Sequence, residues 1–447
     1  MSRRILTRAV LAVAVIVVVL LLVTPALVGG RIQTATVDSL LDRVPAEASS
    51  VMDITQTDFQ RGWFGSTARL ELRVEELDTL LGEPVTLILD LAIDHGPVLF
   101  TPGGLRLGVA FSEIDPELTG LDLQQFDLQA VTEYTRPLFY LFAGFDNTVE
   151  LGLDLDRLQS GIAGMGLELE DLRGFTVVNA DLSGTGNVDL DRLSFHASDR
   201  QVDLYLQNLS FQASEADVTS ALSTGQSRVA IDEIGSTSPL PLTLRRVSAE
   251  FELREDLQSS QRLIFSQAFR IAEFDGDLPL DSVALESRLG GLSRPLLENY
   301  VKLIDQYQRG TAIAPGQPDP GLENLSQDLL LDLARESVDL DVSLNADAFG
   351  GAHRVTLTVD WPGLPTLTSL DTINMQEVIR AVSVDLVVDA DQAALMNSPL
   401  AQAVSGYARQ GLLEVANGRV RAEASLADGI LRVNQETLPI DQLINLQ

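Results

Sequence analysis

Three histidines, His95, His196 and His353, are the side chains best suited to metal binding or general base catalysis. Each stands alone, without a second histidine at a metal-ligand spacing, so the sequence predicts no histidine metal site. The chain has no cysteine, which excludes disulfides, thiolate nucleophiles, zinc fingers and iron–sulfur clusters. It also lacks a nucleophile elbow, a phosphate-binding loop and a dinucleotide fingerprint, and Lys302 is its only lysine.

Carboxylates are the remaining candidates for chemistry. The segment 181–186 begins like a calcium loop, but Arg192 stands at the twelfth position, where that loop needs a bidentate glutamate. The turn 275–277 (Asp-Gly-Asp) is compatible with loose calcium binding and equally with turn capping. Paired carboxylates would suit glycoside hydrolysis, although the chain has only two tryptophans for the aromatic platforms of a carbohydrate site. We therefore expect no catalytic residue, no cofactor and no bound metal.

The charge balance is strongly acidic. Asp and Glu number 64 against 31 Lys and Arg, which gives a formal charge of −33. Because a polyanion repels phosphate, we expect no nucleic acid partner. Many of the acidic residues occupy the polar positions of alternating segments, so we interpret the acidity as a solvated surface.

The N-terminus has the pattern of a membrane segment. Residues 1–8 form a basic tail with three arginines, and a mostly apolar run follows over residues 9–28. About 20 helical residues span the hydrocarbon core of a bilayer, and the positive-inside rule places the basic tail in the cytoplasm. The sequence thus predicts a single-pass anchor with the body on the far side of the membrane. A signal peptide cleaved near residues 28–30 is the alternative.

Beyond the anchor, apolar and polar residues alternate, as in antiparallel strands with one packed and one solvated face. The pattern recurs at residues 85–93, 149–155, 338–344 and 382–388. The predicted fold class is mainly β with inserted helices (α+β): a transmembrane helix followed by an extended antiparallel-sheet body, with a curved or groove-forming sheet as one interpretation. No repeat of fixed period is evident.

The same patterns divide the chain into segments. After the tail and the anchor come a helical stalk at 29–50, a β-rich region at 51–290, a helical hairpin at 291–336 and a second β-rich region with helices at 337–447. The hairpin is predicted because apolar residues recur at three- and four-residue steps on both sides of a proline-rich loop. Further helices are predicted at 371–381 and 391–410.

Two short motifs carry a family resemblance. The first lies at residues 59–68, and the second, at residues 95–97, follows the next predicted strand. A closing hairpin near the C-terminus adds one asparagine. The matching residues are Arg61, Gly62, Trp63, Phe64, Ser66, His95, Gly96, Pro97 and Asn434. With these residues the chain resembles the bacterial YdgA-like family of unknown function. The resemblance implies a protein anchored in the inner membrane with a periplasmic body, and it supplies no catalytic residue. Taken by themselves, the glycines permit a bend, and the aromatic residues pack against the sheet.

Three functions are compatible with these features. The first is a non-catalytic binding or transfer module for apolar, lipid-like ligands, because many apolar strand faces must be covered by something. The second is a structural or assembly factor that presents its acidic surface to other envelope proteins. The third is an envelope hydrolase. The expected partners are accordingly the inner membrane and either lipid or other envelope proteins.

Overall fold

The computed structural model describes residues 52–61, 65–74, 86–95, 98–101, 103–119, 131–134, 138–162, 165–197, 202–218, 220, 222–238, 241–257, 259–277, 279–310, 320–434 and 436–438. The chain divides into two compact units, Met1–Thr219 and Ser220–Gln447. None of the helices in these residues is long and apolar enough to cross a membrane. The predicted tail, anchor and stalk at 1–50 lie outside the described residues.

The first unit is built from antiparallel strands. Their bounds are β1 Met52–Arg61, β2 Gly65–Val74, β3 Thr86–His95, β4 Val98–Thr101, β5 Gly104–Leu107, β6 Ala110–Thr119, β7 Val131–Tyr134, β8 Leu138–Ala143, β9 Val149–Ile162, β10 Met165–Val178, β11 Gly184–Ala197 and β12 Val202–Glu215. Strands β1, β2, β3, β6, β8, β9, β10, β11 and β12 pair successively. β7 joins the same edge of β9 as β8, and β4 pairs only with β5. The prediction of a mainly antiparallel protein is confirmed.

The second unit combines a meander with helices. Its strands are β13 Gly225–Ser238, β14 Leu242–Asp256, β15 Ser259–Gly276, β16 Leu280–Ser293, β17 Val338–Ala348, β18 Gly351–Trp361, β19 Ser383–Asp391, β20 Glu414–Ala416, β21 Arg419–Ala427, β22 Ile430–Val433 and β23 Glu436–Leu438. Its helices are α1 Arg294–Gly310, α2 Pro320–Arg335, α3 Met375–Ala381, α4 Gln392–Met396 and α5 Ala401–Arg409, with a 3₁₀ turn at Leu370–Thr372. Strands β13 to β19 pair in chain order, and β19 continues to β21.

Two helix predictions need correction. The segment 391–410 is not one helix, because Pro399 lacks the backbone donor that a continuous helix needs and the chain turns between α4 and α5. Ser398 closes that turn, donating to the carbonyl of Leu395 (2.7 Å) and accepting from the amide of Leu400 (3.1 Å). The segment 371–381 likewise begins as a 3₁₀ turn, and α3 starts only after Asn374, whose side chain caps the amide of Gln376.

The longest strands contain a recurrent irregularity that the sequence analysis did not identify. Asp171 in β10, Asn208 in β12 and Arg246 in β14 all have left-handed backbone angles (φ 50°, 51° and 51°) and follow one another at intervals of 37 and 38 residues. A left-handed residue redirects its neighbours and interrupts the ladder. In the first unit, one leucine row lies on each side of this point: Leu155, Leu172, Leu190 and Leu209, then Leu158, Leu169, Leu193 and Leu206.

The cores of the two units are local. In the first unit, most of the buried side chains lie on β2, β3, β6, β8 and β9 and include Leu70, Leu89, Leu91, Ile114 and Leu141. In the second unit, Leu263 and Leu292 are cross-strand partners that pack beneath α1, together with Leu296 of that helix. Most apolar side chains on the middle strands of the second unit are only half-buried, and this distribution positions the candidate site.

Candidate functional site

The second unit carries a mostly apolar surface on one side of its sheet, which we call the open face. Directly opposed residues of antiparallel strands share a face, so register alone assembles it. Two cross-strand rows form its centre: Phe269, Leu285, Leu344, Val355, Val388 and Ala422, and beside them Gln267, Ser287, Val342, Leu357, Leu386 and Ala424. Each row crosses six strands, from β15 to β21, which corresponds to about 24 Å at the usual strand spacing.

Helix α2 covers one end of the open face. Its C-terminal half faces the first residues of β17 and leaves an apolar cavity of about 360 Å³. The lining is entirely hydrophobic: Leu289, Leu330, Leu333, Ala334, Val338, Leu340, Val359 and Trp361. Leu330 and Leu333 remain 53% and 40% exposed, so the cavity opens toward solvent rather than closing into a core.

Helix α4 covers the opposite end of the same face. A Cβ atom on Gly351 would lie 2.7 Å from the Cβ of Ala394, so α4 approaches the sheet on the side where Gly351 lacks a side chain. Ala390 and Val420, the cross-strand pair beneath the helix, are 4% and 2% exposed. Helix α4 therefore buries apolar side chains at this end of the open face. In the described part of this unit, the two rows between α2 and α4 are left without a helix over them.

The described residues of the second unit do not seal the open face. Helix α1 contacts β15 and β16, and α4 contacts β18 and β19, whereas α2 lies over the cavity described above. Val342, Leu344, Val355, Leu357 and Leu386 are half-buried, although aliphatic residues on a covered strand face are normally buried. Phe251 and Phe269 are 41% and 39% exposed.

The other side of this sheet is charged. Arg288 contacts Asp339 and also Asp341, the latter at 3.5 Å, and Arg421 lies 3.3 Å from Asp389. All of these side chains are between 29% and 61% exposed, so solvent screens the pairs. The two faces therefore differ in chemistry as the alternating sequence predicts, with solvated charge on one side and apolar side chains on the other.

The described motif residues of the first unit, Arg61, Ser66 and His95, lie at one end of its sheet. Arg61 pairs with Ser66 across β1 and β2, Gly65 pairs with Asp94, and His95 ends β3 opposite Ala110. Ser66 is 6% exposed and its hydroxyl makes no hydrogen bond among the described residues. Gly62, Trp63, Phe64, Gly96 and Pro97 lie outside the described residues.

Asn434 lies in the second unit and has a positive φ of 47°. Its side chain accepts from the amide of Glu423 (2.9 Å) and donates to the carbonyl of Gly411 (3.2 Å). It thus ties the turn after β22 to β21 and to the segment that follows α5, which is a structural role. The paired turns Asn417-Gly418 and Asp428-Gly429 also have positive φ at both residues, as tight hairpins require.

The residues examined for metal or acid–base chemistry are spread over the chain. Asp181 accepts from the amide and the hydroxyl of Ser183 (3.0 and 2.7 Å), which lowers its pKa and closes the turn after β10. His196 contacts Asp203 on the neighbouring strand, and His353 contacts the carbonyl of Ala348. Within the described ranges, no group of three His, Asp or Glu side chains is arranged to hold a metal ion.

Fold and site together define an antiparallel-sheet protein whose second unit leaves one apolar face open between two helices. A family model described as a bacterial protein of unknown function (DUF945) matches residues 6–441, so the chain belongs to this family. That description does not include the YdgA-like name, and the narrower resemblance stays a prediction. No curated protein matches the chain, and no solved structure matches it.

Proposed function

We propose that this protein is a non-catalytic binding or transfer module for lipid-like molecules, and that the open face of the second unit holds an acyl chain. The observation that carries the proposal is the pair of mostly apolar, partly exposed rows between α2 and α4. Apolar area left in contact with water costs about 25 cal/mol per Å², so an apolar occupant would be stabilised there without any change in the sheet.

The chemistry of the surface supports an acyl chain over a polar ligand. The cavity beneath α2 is lined by apolar side chains alone, so it offers a polar molecule no compensation for losing water. The central rows lie next to that cavity and cross the strands for about 24 Å, which is about the length of a common fatty acyl chain. One end of a chain would fit beneath α2, and the remainder would follow the rows.

The proposal includes the location predicted from the sequence. Residues 9–28 would anchor the chain in a bacterial inner membrane with both units in the periplasm, next to a source of lipids. A role in contacting other envelope proteins through the charged face stays a prediction, as does the hydrolase alternative.

Photocrosslinking tests the proposal with a matched pair of positions. Leu357 and Thr356 are neighbours in β18 whose side chains lie on the open and the charged face, respectively. A photoreactive benzoylphenylalanine is placed at one or the other in the full chain, which is irradiated in bacteria grown with radiolabelled acetate to label acyl chains. We expect labelled adducts at position 357 and few at position 356. Equal labelling at both positions, or none at 357, would contradict the proposal.

A further inference from the structure

The β4–β5 hairpin of the first unit is a second apolar surface, separate from the open face. Its cross-strand pairs are Val98 with Leu107 and Phe100 with Leu105. All four side chains point away from the unit, with 46%, 65%, 78% and 62% of their surface exposed, respectively. Together they make one side of the hairpin wholly apolar.

The inner side of the hairpin is fastened to the sheet. Leu99 is 2% exposed and packs against Phe111 and Phe142. The Arg106 guanidinium lies 3.7 Å above the Phe142 ring and donates two hydrogen bonds of 2.8 Å to the carboxylate of Glu150. The hairpin is therefore held in place with its apolar side outward, and exposure is not the result of a loose loop.

Tyr140 completes this attachment. Its hydroxyl donates to Glu150 (3.0 Å), and burial, with the adjacent carboxylate, raises the pKa of Tyr140 to about 12. Burial opposes ionisation of Glu150, but hydrogen bonds from Arg106 and Tyr140 outweigh it and hold the pKa of Glu150 below its ordinary value. The carboxylate therefore stays ionised at neutral pH, and its contacts restrain β5.

The local charge is unusual for this chain. No Asp or Glu occurs between Asp94 and Glu113, although the chain carries 64 of them in 447 residues. The only charged side chain on the hairpin, Arg106, faces inward. Carboxylates are repelled by lipid phosphates, so a segment without them enters the headgroup region at a lower cost than the rest of this acidic chain. The hairpin is such a segment.

Two turns at the same end of the first unit also carry exposed apolar side chains. The turns after β8 and β10 lie at the same end of the sheet as the hairpin. This follows from successive cross-strand pairs, which link His95 to Ala110, Ala110 to Ala143, Ala143 to Val149 and Val149 to Val178. Those turns hold Phe145, 61% exposed, and Leu182, 43% exposed. The same turns carry the exposed side chains of Asp146 and Asp181, so among these segments the hairpin alone is free of carboxylates.

We propose that this hairpin is a membrane-contact element whose outer side enters the headgroup and upper acyl region of a lipid bilayer. A bilayer fits better than a protein partner, because the side chains on the outer side are aliphatic or aromatic and include no polar side chain for directional recognition. No other described strand pairs with the outer edges of β4 and β5, which favours the interfacial depth over the hydrocarbon centre.

The experiment uses the absence of native cysteine. Phe100→Cys in the full chain is labelled with a polarity-sensitive fluorophore and mixed with phosphatidylcholine vesicles containing nitroxide lipids. Leu105→Cys, on the paired strand, gives an independent readout, and Asp156→Cys, exposed in the middle of β9, is the control. The depth of the label is measured rather than binding, because the N-terminal segment would attach every variant equally.

We expect nitroxides near the headgroup to quench the labels at 100 and 105 several-fold more strongly than the label at 156. Quenching no greater than the control would overturn the proposal. A blue shift that appears without vesicles and grows with protein concentration would also overturn it, because the occupant would then be a second copy of the chain.

Discussion

Truncation of Leu357 measures whether the open face is free of a covering layer. Its natural comparison is Leu263, which lies in the same unit and is 0% exposed, whereas Leu357 is half-buried. Leucine-to-alanine changes in a closed core cost about 2–5 kcal/mol, because transfer energy is lost and a cavity is left. Leu357→Ala leaves no enclosed cavity and loses most of the transfer term without a cavity term, so we expect a cost of about 1.5 kcal/mol.

The assay is urea unfolding of the full chain in a Trp63→Phe background, in which Trp361 is the remaining tryptophan. Trp361 belongs to β18, the strand that contains Leu357, so its fluorescence reports the unit in question. We expect Leu263→Ala to lower the midpoint clearly more than Leu357→Ala. Equal destabilisation by both changes would mean that a layer packs over the open face, and the reasoning about an available apolar surface would be refuted.

Three further outcomes follow from the geometry. Glu150→Gln should lower the free energy of unfolding by about 1 kcal/mol at pH 7. Because folding lowers the pKa of Glu150, the ionised carboxylate stabilises the fold above the ordinary glutamate pKa, and this contribution disappears as the pH falls through the folded pKa. The urea midpoints of the wild-type and variant proteins should therefore converge in acid. Gly291→Ala should lower the free energy of unfolding by more than 1 kcal/mol, because φ is +82° and the new Cβ would lie 2.2 Å from a backbone oxygen. The matched control is Gly406→Ala, at a helical position where the new Cβ would have nothing within 4 Å. In thermal melts the control should be neutral or stabilising. Ser66→Ala should leave the melting temperature unchanged or raise it, since a buried hydroxyl without a partner contributes nothing favourable; a clear loss would show that the hydroxyl has a partner.

Much of the sheet could be predicted from local sequence. The alternation at 338–344 predicts the strand observed as β17, because apolar and polar residues alternate when one face of a strand is packed and the other is solvated. Two helices, α1 and α2, lie in the stretch where three- and four-residue apolar steps predict a helical hairpin. These signals are contained within a dozen residues.

The open face and the hairpin attachment depend on contacts that are distant in sequence. Arg106 and Glu150 are 44 residues apart, and neither residue type nor spacing distinguishes them from other charges on strands. Alternation shows that one face is apolar but does not show whether a second layer covers it. The left-handed residue Asp171 was missed because two adjacent polar residues resemble an ordinary lapse in the period. Whether an apolar face is left uncovered depends on how the whole chain packs and cannot be read from a single segment.

Native mass spectrometry of the full chain, purified in mild detergent, tests the central claim most directly. We predict an added mass that corresponds to a molecule with an acyl chain, retained by a Thr356→Asp variant and lost when Leu357 is changed to Asp. Recovery of the wild-type chain without any bound lipid, or equal retention by both aspartate variants, would contradict acyl-chain binding on the open face.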